Sequence, residues 1–299
     1  MFRPGLPNGG TIAIVAPSTA QDQEKLRQGI AWLHDKGYHT VVAPSCTSHD
    51  FLKLSGPDEQ RAKDINEMFA RDDIDAIICM AGGYGTPRIV DALDYDTIRN
   101  HPKVFSGFSD VTLLLNAIAD RCGFQTFHGP MIVGDFSRGD NPHLASFFEL
   151  VRGEELRLPM DGVTVLRPGT ARGDLFGGNL SLLQVYVSMK TTFDPTNRIL
   201  LIEDVHEANY RIDRMLQSLR LHGLFDGIAG VIIGGVTSKT TPQPGALEVF
   251  RRFFADAPYP VLFNVPIGHV VPRYAVPIGG TVSMATNPPA LIALKEPTR

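Results

Sequence analysis

Several patterns are missing from this sequence, and each absence excludes a class of protein. The three cysteines, Cys46, Cys79 and Cys122, are widely spaced, odd in number and outside any CxxC pair, which is typical of reduced thiols rather than a disulfide framework. No apolar stretch approaches the roughly 20 residues of a membrane span. The amino terminus lacks the basic-then-apolar pattern of a secretory signal. We therefore expect a cytoplasmic protein with no membrane partner.

Runs of like charge are also missing. The 28 Lys and Arg residues and 32 Asp and Glu residues leave a net charge of −4, and no segment concentrates either sign. This balance argues against a nucleic-acid partner or an anionic membrane surface. A hydrophobic content of 43% with 20% charged residues predicts a globular protein able to bury a full core. At 299 residues, one large domain or two of ordinary size are both possible.

The cofactor and metal motifs that could explain the glycines and histidines are incomplete. The loop Gly82-Gly83-Tyr84-Gly85 is not G-x-G-x-x-G, and the glycines at 173–178 are not followed by Lys-Ser/Thr. The nine histidines include no HExxH pair. The segment 203–207 (EDVHE) could hold a hard cation, but its spacing is weak evidence for one. We expect neither a cofactor nor a metal.

The first half of the chain alternates short apolar runs with helical patterns. Strands are predicted at 11–17, 38–43, 76–80 and 104–106, and helices at 23–36, 58–70, 87–93 and 111–119. This alternation predicts an α/β fold with a parallel, helix-covered sheet of the flavodoxin or Rossmann-like type. Ligands of such sheets lie beyond the carboxyl ends of the strands, where both the glycine loop and Ser109 fall.

The second half has a different pattern and predicts a second domain. Between 139 and 173 the periodicity weakens, so we predict an N-terminal domain at 1–150, a linker at 151–172 and a C-terminal domain at 173–299. Strands at 198–202, 230–235 and 260–265 alternate with helices at 210–221 and 247–255. Short β-like runs within 276–294 predict antiparallel strands, so the C-terminal domain should be a β-rich α/β domain.

A serine lies where a predicted strand is followed by a predicted helix. The apolar run ends at Gly107, the chain turns through Ser109 and Asp110, and 111–119 has the apolar face of a helix. Such a turn can expose a hydroxyl, and the first N–H groups of the helix then point at whatever that hydroxyl attacks. The pattern G-x-S-x-G is not met because Val111 follows Asp110. Ser109 or Asp110 as a simple helix cap is the alternative.

Two further residues at strand ends make nucleophilic catalysis a candidate. A serine hydroxyl needs a base to take its proton, and the base needs a third group to hold its tautomer. His269 follows a predicted strand and has small neighbours, and Glu203 ends the apolar run 198–202. His128 is the rival base, although a histidine before Gly-Pro is better suited to bracing a turn. A loop histidine without a role and a solvated glutamate are the alternatives for His269 and Glu203.

Seven short motifs, in order along the chain, resemble LD-carboxypeptidases, a family of serine peptidases. They are GGYG (82–85), GFSD (107–110), FHGPM (127–131), GGNL (177–180), IED (202–204), YRIDR (210–214) and PIGH (266–269). The resemblance runs from Gly10 to about Ala293, nearly the whole chain. Each motif is weak alone, but their shared order makes the resemblance specific.

The resemblance implies that Ser109 is the nucleophile, His269 the general base and Glu203 the acid that orients the histidine. The oxyanion of the intermediate would be held by backbone N–H groups, those of Asp110 and Gly83. Glycine suits the second position because a side chain would block the approach of the backbone to the carbonyl. We expect the active site to lie in the cleft between the two domains, and the resemblance also implies a homodimer.

Members of this family hydrolyse the bond to the terminal D-amino acid of murein tetrapeptides during cytoplasmic peptidoglycan recycling. The resemblance therefore implies a murein tetrapeptide or a related small peptide as substrate. A carboxypeptidase must also bind a free carboxylate. Arg88 and Arg211 are the candidates, with Gly82 and Tyr84 as further substrate-binding residues, while Arg211 could instead serve an ion pair with Asp213 or Glu207.

One position departs from the family pattern, and two other functions stay open. The family's glycine loop is commonly preceded by arginine, where this chain has Ala81, so Arg88 or Arg273 would have to substitute. A branch of the family cleaves microcin-type aminoacyl-nucleotide conjugates and confers immunity. A non-catalytic protein that binds sugars or peptides is the third possibility, and it would need no triad.

Overall fold

The computed structural model of the protein describes residues 1–50, 52–189, 193–238 and 245–295. These described residues form fourteen strands and eight α-helices. The strands are β1 (Thr11–Val15), β2 (His39–Val42), β3 (Ala76–Cys79), β4 (Val104–Gly107), β5 (Thr126–His128), β6 (Leu156–Arg157), β7 (Thr164–Arg167), β8 (Thr170–Asn179), β9 (Ile199–Glu207), β10 (Gly230–Ser238), β11 (Val261–Gly268), β12 (Val276–Ile278), β13 (Thr281–Thr286) and β14 (Pro289–Ala293). The helices are α1 (Gln23–Asp35), α2 (Asp58–Ala70), α3 (Tyr95–Asn100), α4 (Thr112–Cys122), α5 (Pro142–Arg152), α6 (Leu180–Ser188), α7 (Asn209–Leu221) and α8 (Ala246–Phe253).

These elements divide into two compact units. The first contains residues 1–154 and 275–279, and the second contains residues 155–274 and 280–294, both within the described ranges. Each unit is built on one sheet, and the predicted α/β architecture with a β-rich second half is confirmed. No helix among the described residues is long and apolar enough to span a membrane.

The sheet of the first unit has the strand order β2-β1-β3-β4-β5-β12. Its first five strands are parallel, and β12 pairs with β5 in the antiparallel direction. Every residue of β3 and β4 is buried, as expected for central strands covered by helices on both faces. The order reverses between β1 and β3, and ligands of open α/β sheets bind at the carboxyl end of such a switch point.

The sheet of the second unit has the order β6-β14-β13-β8-β9-β10-β11-β7. Strands β8 to β11 are parallel, and the remaining four join the sheet in antiparallel pairs. Helices α6, α7 and α8 bury one apolar face against the parallel strands, with Leu183, Leu216 and Phe250 fully buried in that cluster. This packing holds the carboxyl ends of β8, β9 and β11 along one edge.

The structure differs from the sequence predictions in three local elements. The helix predicted at 87–93 is wrong: the chain forms two 3₁₀ turns, Thr86–Arg88 and Val90–Ala92, because its N–H groups bond carbonyls three residues back. Residues 142–152, in the region without clear periodicity, form α5. The segment 151–172, predicted as a linker, contributes β6 and β7 to the second sheet. The predicted domain boundaries themselves stay a prediction.

The carboxyl-terminal region confirms the antiparallel strands expected within 276–294. Strands β13 and β14 pair with each other in the second unit. Strand β12 pairs instead with β5, so that Val276 lies opposite His128 in the first sheet. A pairing across almost 150 residues leaves no local pattern in the sequence.

Candidate active site

Ser109 lies at a sharp turn between β4 and α4. Its φ of +64° is in the left-handed region, which residues with a side chain seldom occupy. It is the first residue of a 3₁₀ turn, Ser109–Val111, that leads directly into α4, and its side chain is only partly buried. Strained positive-φ positions of this kind are concentrated at functional sites. The backbone thus turns Ser109 away from the strand and towards the amino end of a helix.

The glycine loop that follows β3 packs directly on this serine turn. A Cβ added to Gly82 would lie 3.0 Å from the Cβ of Ser109 and 3.3 Å from its Oγ. On the other side of the loop, a Cβ on Gly83 would lie 2.3 Å from Oγ1 of Thr19, which accepts a 3.0 Å hydrogen bond from the N–H of Tyr84. Gly83 also has a φ of +118°. Glycines at these positions let the backbone run between the serine turn and the loop after β1.

The buried side chain of Asp110 joins three loops of the first unit. Its Oδ2 accepts hydrogen bonds from Oγ of Ser18 at 2.6 Å and from the N–H of Thr86 at 3.0 Å. Its backbone carbonyl accepts a further bond from Oγ1 of Thr86 at 2.6 Å. Burial raises the pKa of this carboxyl, against the opposing effect of these donors. This joining role of the Asp110 carboxyl was not predicted from the sequence.

Arg61 bonds two of the same loops, and this role was not predicted from the sequence. Its side chain, on α2, is fully buried and donates to the carbonyl oxygens of Pro17 and Gly85, while also pairing with Asp58. Buried guanidinium groups are rare without such partners. In the sequence Arg61 looks like one polar residue of an amphipathic helix, and no local signal distinguishes it.

Arg88 is held by Asp58 in this structure. Its Nε lies 2.9 Å from both carboxylate oxygens of Asp58, and its Nη2 forms an ion pair at 2.8 Å. Hydrogen bonding by Arg88 is the largest cause that lowers the pKa of Asp58. The neighbouring Tyr84 is about half exposed. The predicted carboxylate-binding group at Arg88 is therefore already paired with an acid of its own unit.

In the second unit, Glu203 and His269 form a short hydrogen bond. The Oε2 atom of Glu203 lies 2.6 Å from Nδ1 of His269 and 3.3 Å from the backbone N–H of the same residue. Glu203 is fully buried, whereas a fifth of the His269 side chain is exposed. Strand β9 continues past Glu203 to Glu207, so Glu203 lies within the strand rather than at its end as predicted, opposite Asn179 of β8.

Gly268 makes this contact possible. Its φ is +89°, and an added Cβ would lie 2.5 Å from Oε2 of Glu203. Any side chain here would displace the carboxylate from the histidine that follows. Gly234 of β10 is similarly close, with its added Cβ 3.3 Å from the Cβ of Glu203. The local sequence therefore makes room for a buried carboxylate beside an imidazole.

The electrostatics of this pair suit a general base. Burial lowers the pKa of His269, but the hydrogen bond and charge of Glu203 outweigh it and leave the pKa raised above the ordinary 6.5. When Nδ1–H donates to Glu203, the lone pair of Nε2 is the one that can accept a proton. The arrangement fixes both the tautomer and the orientation of the ring.

Asp204 braces the same strand from its other face. Its Oδ1 accepts from Nδ2 of Asn179 at 3.1 Å, and its Oδ2 accepts from the N–H and Oγ of Ser181 at 3.1 and 2.9 Å. Asn179 caps α6, so the carboxyl of Asp204 lies at the amino end of that helix, where an anion is favoured. Burial raises its pKa. This network was not predicted from the sequence.

The remaining predicted residues have other surroundings. Arg211 is exposed; it forms a loose ion pair with Glu207 at 3.7 Å, one of the two partners expected for it, and its Nε donates to the hydroxyl of Tyr210 at 3.3 Å. His128, the rival base, is fully buried in β5, and its ring packs 5.6 Å from that of Phe108. Among the described residues, no three His, Cys, Asp or Glu side chains are grouped to hold a metal ion.

Two family models match the chain in the order expected from these features. The LD-carboxypeptidase N-terminal domain matches residues 12–129, and the LD-carboxypeptidase C-terminal domain matches residues 172–284. The chain therefore belongs to the LD-carboxypeptidase family, and the resemblance seen in its motifs is confirmed. As a member of this family the protein is a hydrolase of the serine carboxypeptidase class.

Three known proteins illustrate the range of this family. The probable murein peptide carboxypeptidase of Bacillus subtilis is 36% identical, with 94% of this chain and 90% of the relative covered. A muramoyltetrapeptide carboxypeptidase from Oxalobacter formigenes has a similar crystal structure, with a TM-score of 0.86, 27% identity and coverage of 96% of this chain and all of that one. A microcin self-immunity protein of Escherichia coli is 28% identical over 90% of this chain and 88% of its own.

Proposed function

We propose that this protein is an LD-carboxypeptidase that releases the terminal D-alanine of murein tetrapeptides through Ser109, His269 and Glu203. The observation that carries the proposal is the 2.6 Å hydrogen bond between the buried Glu203 and Nδ1 of the partly exposed His269. A carboxylate that holds a partly exposed imidazole in one tautomer is the second half of a serine triad. Ser109, on its left-handed turn, supplies the first half.

In this mechanism His269 first acts as a general base. Its Nε2 takes the proton of the Ser109 hydroxyl while Oγ attacks the carbonyl carbon of the L,D-peptide bond. The carbonyl oxygen becomes an oxyanion, which the backbone N–H groups of Gly83 and Asp110 stabilise. Glu203 remains ionised and stabilises the imidazolium that forms.

His269 then acts as a general acid. The imidazolium gives its proton to the amine of the departing D-alanine, and the carbon–nitrogen bond breaks to leave an acyl group on Ser109. A water molecule, deprotonated by the neutral imidazole, attacks this ester and releases the shortened peptide. The proton returns to Ser109, and the enzyme is regenerated.

We assign the terminal carboxylate of the substrate to Arg211 rather than Arg88. Arg88 is already engaged by both oxygens of Asp58, whereas the exposed Arg211 makes only a 3.7 Å contact with Glu207 and a 3.3 Å hydrogen bond to the hydroxyl of its neighbour Tyr210. An arginine with an exposed guanidinium can accept a carboxylate as a bidentate partner. Gly82 and Tyr84, on the loop beside Ser109, would contact the backbone of the peptide. Replacing Arg211 by alanine should raise KM more than it lowers kcat.

The biological setting is part of the same proposal. We infer that the protein acts in the cytoplasm, in peptidoglycan recycling, as a homodimer. Its three cysteines are buried free thiols, as is usual in reducing compartments. The dimer follows from the family resemblance, and light scattering of the purified protein would measure its mass directly.

The decisive experiment is mass spectrometry of a murein tetrapeptide before and after incubation with the protein. The proposal predicts the loss of one alanine with the wild type and an unchanged peptide with Ser109→Ala. The relative that is a microcin self-immunity protein supports a second candidate, hydrolysis of aminoacyl-nucleotide conjugates. An intact tetrapeptide together with turnover of an aminoacyl sulfamoyl adenylate would favour that second function.

A further inference from the structure

One carboxyl group connects the serine turn to two loops that are distant in sequence. Oδ2 of Asp110 accepts from Ser18, which is 92 residues away, and from the N–H of Thr86, which is 24 residues away. Ser18 follows β1, Thr86 ends the glycine loop after β3, and Asp110 itself follows the nucleophile. All three residues are buried, so these bonds are shielded from competing water.

These bonds tie the glycine loop, which packs on Ser109, to the residue that follows the serine. The backbone at Gly82 is packed on the Ser109 side chain, and the loop ends four residues later at Thr86. Thr86 is held twice by Asp110, through its N–H and through its Oγ1. One residue before Thr86, the carbonyl of Gly85 accepts a hydrogen bond from Arg61. The loop is therefore clamped close to the point where it meets the nucleophile.

We propose that the Asp110 carboxyl is a positioning residue that fixes the backbone N–H of Gly83 where the oxyanion develops. The proposal rests on the proposed function, because it takes Ser109 as the nucleophile and Gly83 as an oxyanion donor. Stabilisation of an oxyanion requires donors within about 3 Å of one point. A loop that relaxes by even about 1 Å would hold the substrate but lose much of that stabilisation.

The proposal makes opposite predictions for two substitutions of the same residue. Both donors reach a single oxygen, Oδ2, so the amide oxygen of Asp110→Asn can accept both bonds. Asp110→Ala leaves both donors without their acceptor. We expect Asp110→Ala to lower kcat about 100-fold with KM changed less than about threefold, because one oxyanion donor is misplaced. Asp110→Asn should lower kcat at least about tenfold less than Asp110→Ala does, because its amide oxygen can still accept both bonds.

A fluorophosphonate probe separates this proposal from the identity of the substrate. Phosphonylation of Ser109 builds negative charge on the phosphoryl oxygen, so its rate depends on the same N–H donors, whichever peptide the enzyme cleaves. Ser109 labelling about 100-fold slower than the wild type in Asp110→Ala, and at least about tenfold faster in Asp110→Asn than in Asp110→Ala, supports the positioning role. If the wild type is labelled but releases no D-alanine, the proposed substrate fails while this comparison of rates still stands.

Asp64 offers a matched control in the same unit. It is also a fully buried aspartate, and it accepts the N–H of Ser45 at 2.7 Å and Nε2 of Gln60 at 2.6 Å. Asp64→Ala should lower the melting temperature, because two buried donors lose their acceptor. The labelling rate of Ser109 in the folded fraction should stay unchanged. Equal slowing in Asp64→Ala and Asp110→Ala would overturn the proposal.

A second variant keeps the test decisive if Asp110→Ala does not fold. Ser18→Ala removes one of the two donors to Oδ2 and leaves the carboxyl in place. We expect Ser109 labelling slowed about three- to tenfold in this variant, with KM near normal. Unchanged labelling in Ser18→Ala, or a loss in Asp110→Asn as large as that in Asp110→Ala, would contradict the positioning role.

Discussion

Each of the two units holds one group of candidate catalytic residues, and the two groups are built by different physical means. In the first unit the site is backbone: Ser109 lies at positive φ, and the glycine loop packs against it without side chains. In the second unit the site is a buried carboxylate and an imidazole held by a side-chain hydrogen bond. The first arrangement depends on backbone shape and the second on charge. Substitutions in the two units should therefore lower activity in different ways.

The largest expected effect tests whether Ser109 and His269 act together in one catalytic mechanism. Ser109→Ala and His269→Ala should each lower kcat by about 10⁴-fold or more, and the double variant should be no worse than either single one. Measurement of D-alanine release under single-turnover conditions would check this. Losses that multiply in the double variant would mean that the two units contribute independently. Unchanged circular dichroism spectra would show that folding is preserved.

A smaller loss is expected when the charge of the second unit is removed and its shape is kept. Glu203→Gln should lower kcat by about 10³- to 10⁴-fold, since the amide no longer fixes the productive tautomer or stabilises the imidazolium.

The pH profile of Glu203→Gln tests the direction in which Glu203 shifts the pKa of His269. Glu203 raises the pKa of His269, and the base must be neutral to act, so wild-type kcat/KM should rise with pH through a midpoint above 6.5. In Glu203→Gln this midpoint should move to lower pH, because the charge that favoured the imidazolium is gone. A midpoint that does not move would contradict the assignment of His269 as the base.

Two glycine substitutions separate the effect of backbone strain at positive φ from the effect of a steric clash with Glu203. Gly268→Ala places a methyl group 2.5 Å from Oε2 of Glu203, and we expect kcat to fall about 10- to 100-fold. Gly123→Ala is its control, because Gly123 also has positive φ, +79°, but nothing lies within 4 Å of its added Cβ. Both variants should lose about 1 kcal/mol of stability from the left-handed backbone, and Gly123→Ala should keep full activity. Urea denaturation and initial rates would separate the two effects.

The smallest expected effect concerns Asp204, the residue that follows Glu203. Asp204 raises the pKa of His269 through its charge and bonds Asn179 and Ser181 at the start of α6. Asp204→Asn should cost about 1 kcal/mol of stability and move the acid midpoint of kcat/KM slightly to lower pH, by less than Glu203→Gln does. A larger shift in Asp204→Asn than in Glu203→Gln would mean that the wrong carboxylate has been paired with His269.

The sequence predicted the elements whose signals are local. Short β-branched runs marked the parallel strands. Ser109 lies two residues after the end of β4 and His269 directly follows β11, because such strands end where polarity returns. The helix predicted at 87–93 was wrong because its apolar spacing also fits two 3₁₀ turns that begin after Gly85.

The parts that could not be predicted depend on contacts between distant segments. The bond between Asp110 and Ser18 spans 92 residues, and the pairing of β12 with β5 spans almost 150. Arg61 is buried only because the carbonyls of Pro17 and Gly85 converge on it in the fold. Such positions have ordinary neighbours in the sequence, so periodicity gives no sign of them.

The central claim is that the imidazole of the second unit activates the hydroxyl of the first. The most direct measurement is the rate of Ser109 phosphonylation by a fluorophosphonate, followed against pH in the wild type and in His269→Ala. We predict that the wild-type rate rises with pH as His269 loses its proton. In His269→Ala the rate should be lower by a factor of about 10³ or more and should not rise in this way. Equal rates in the two proteins at neutral pH would contradict the account.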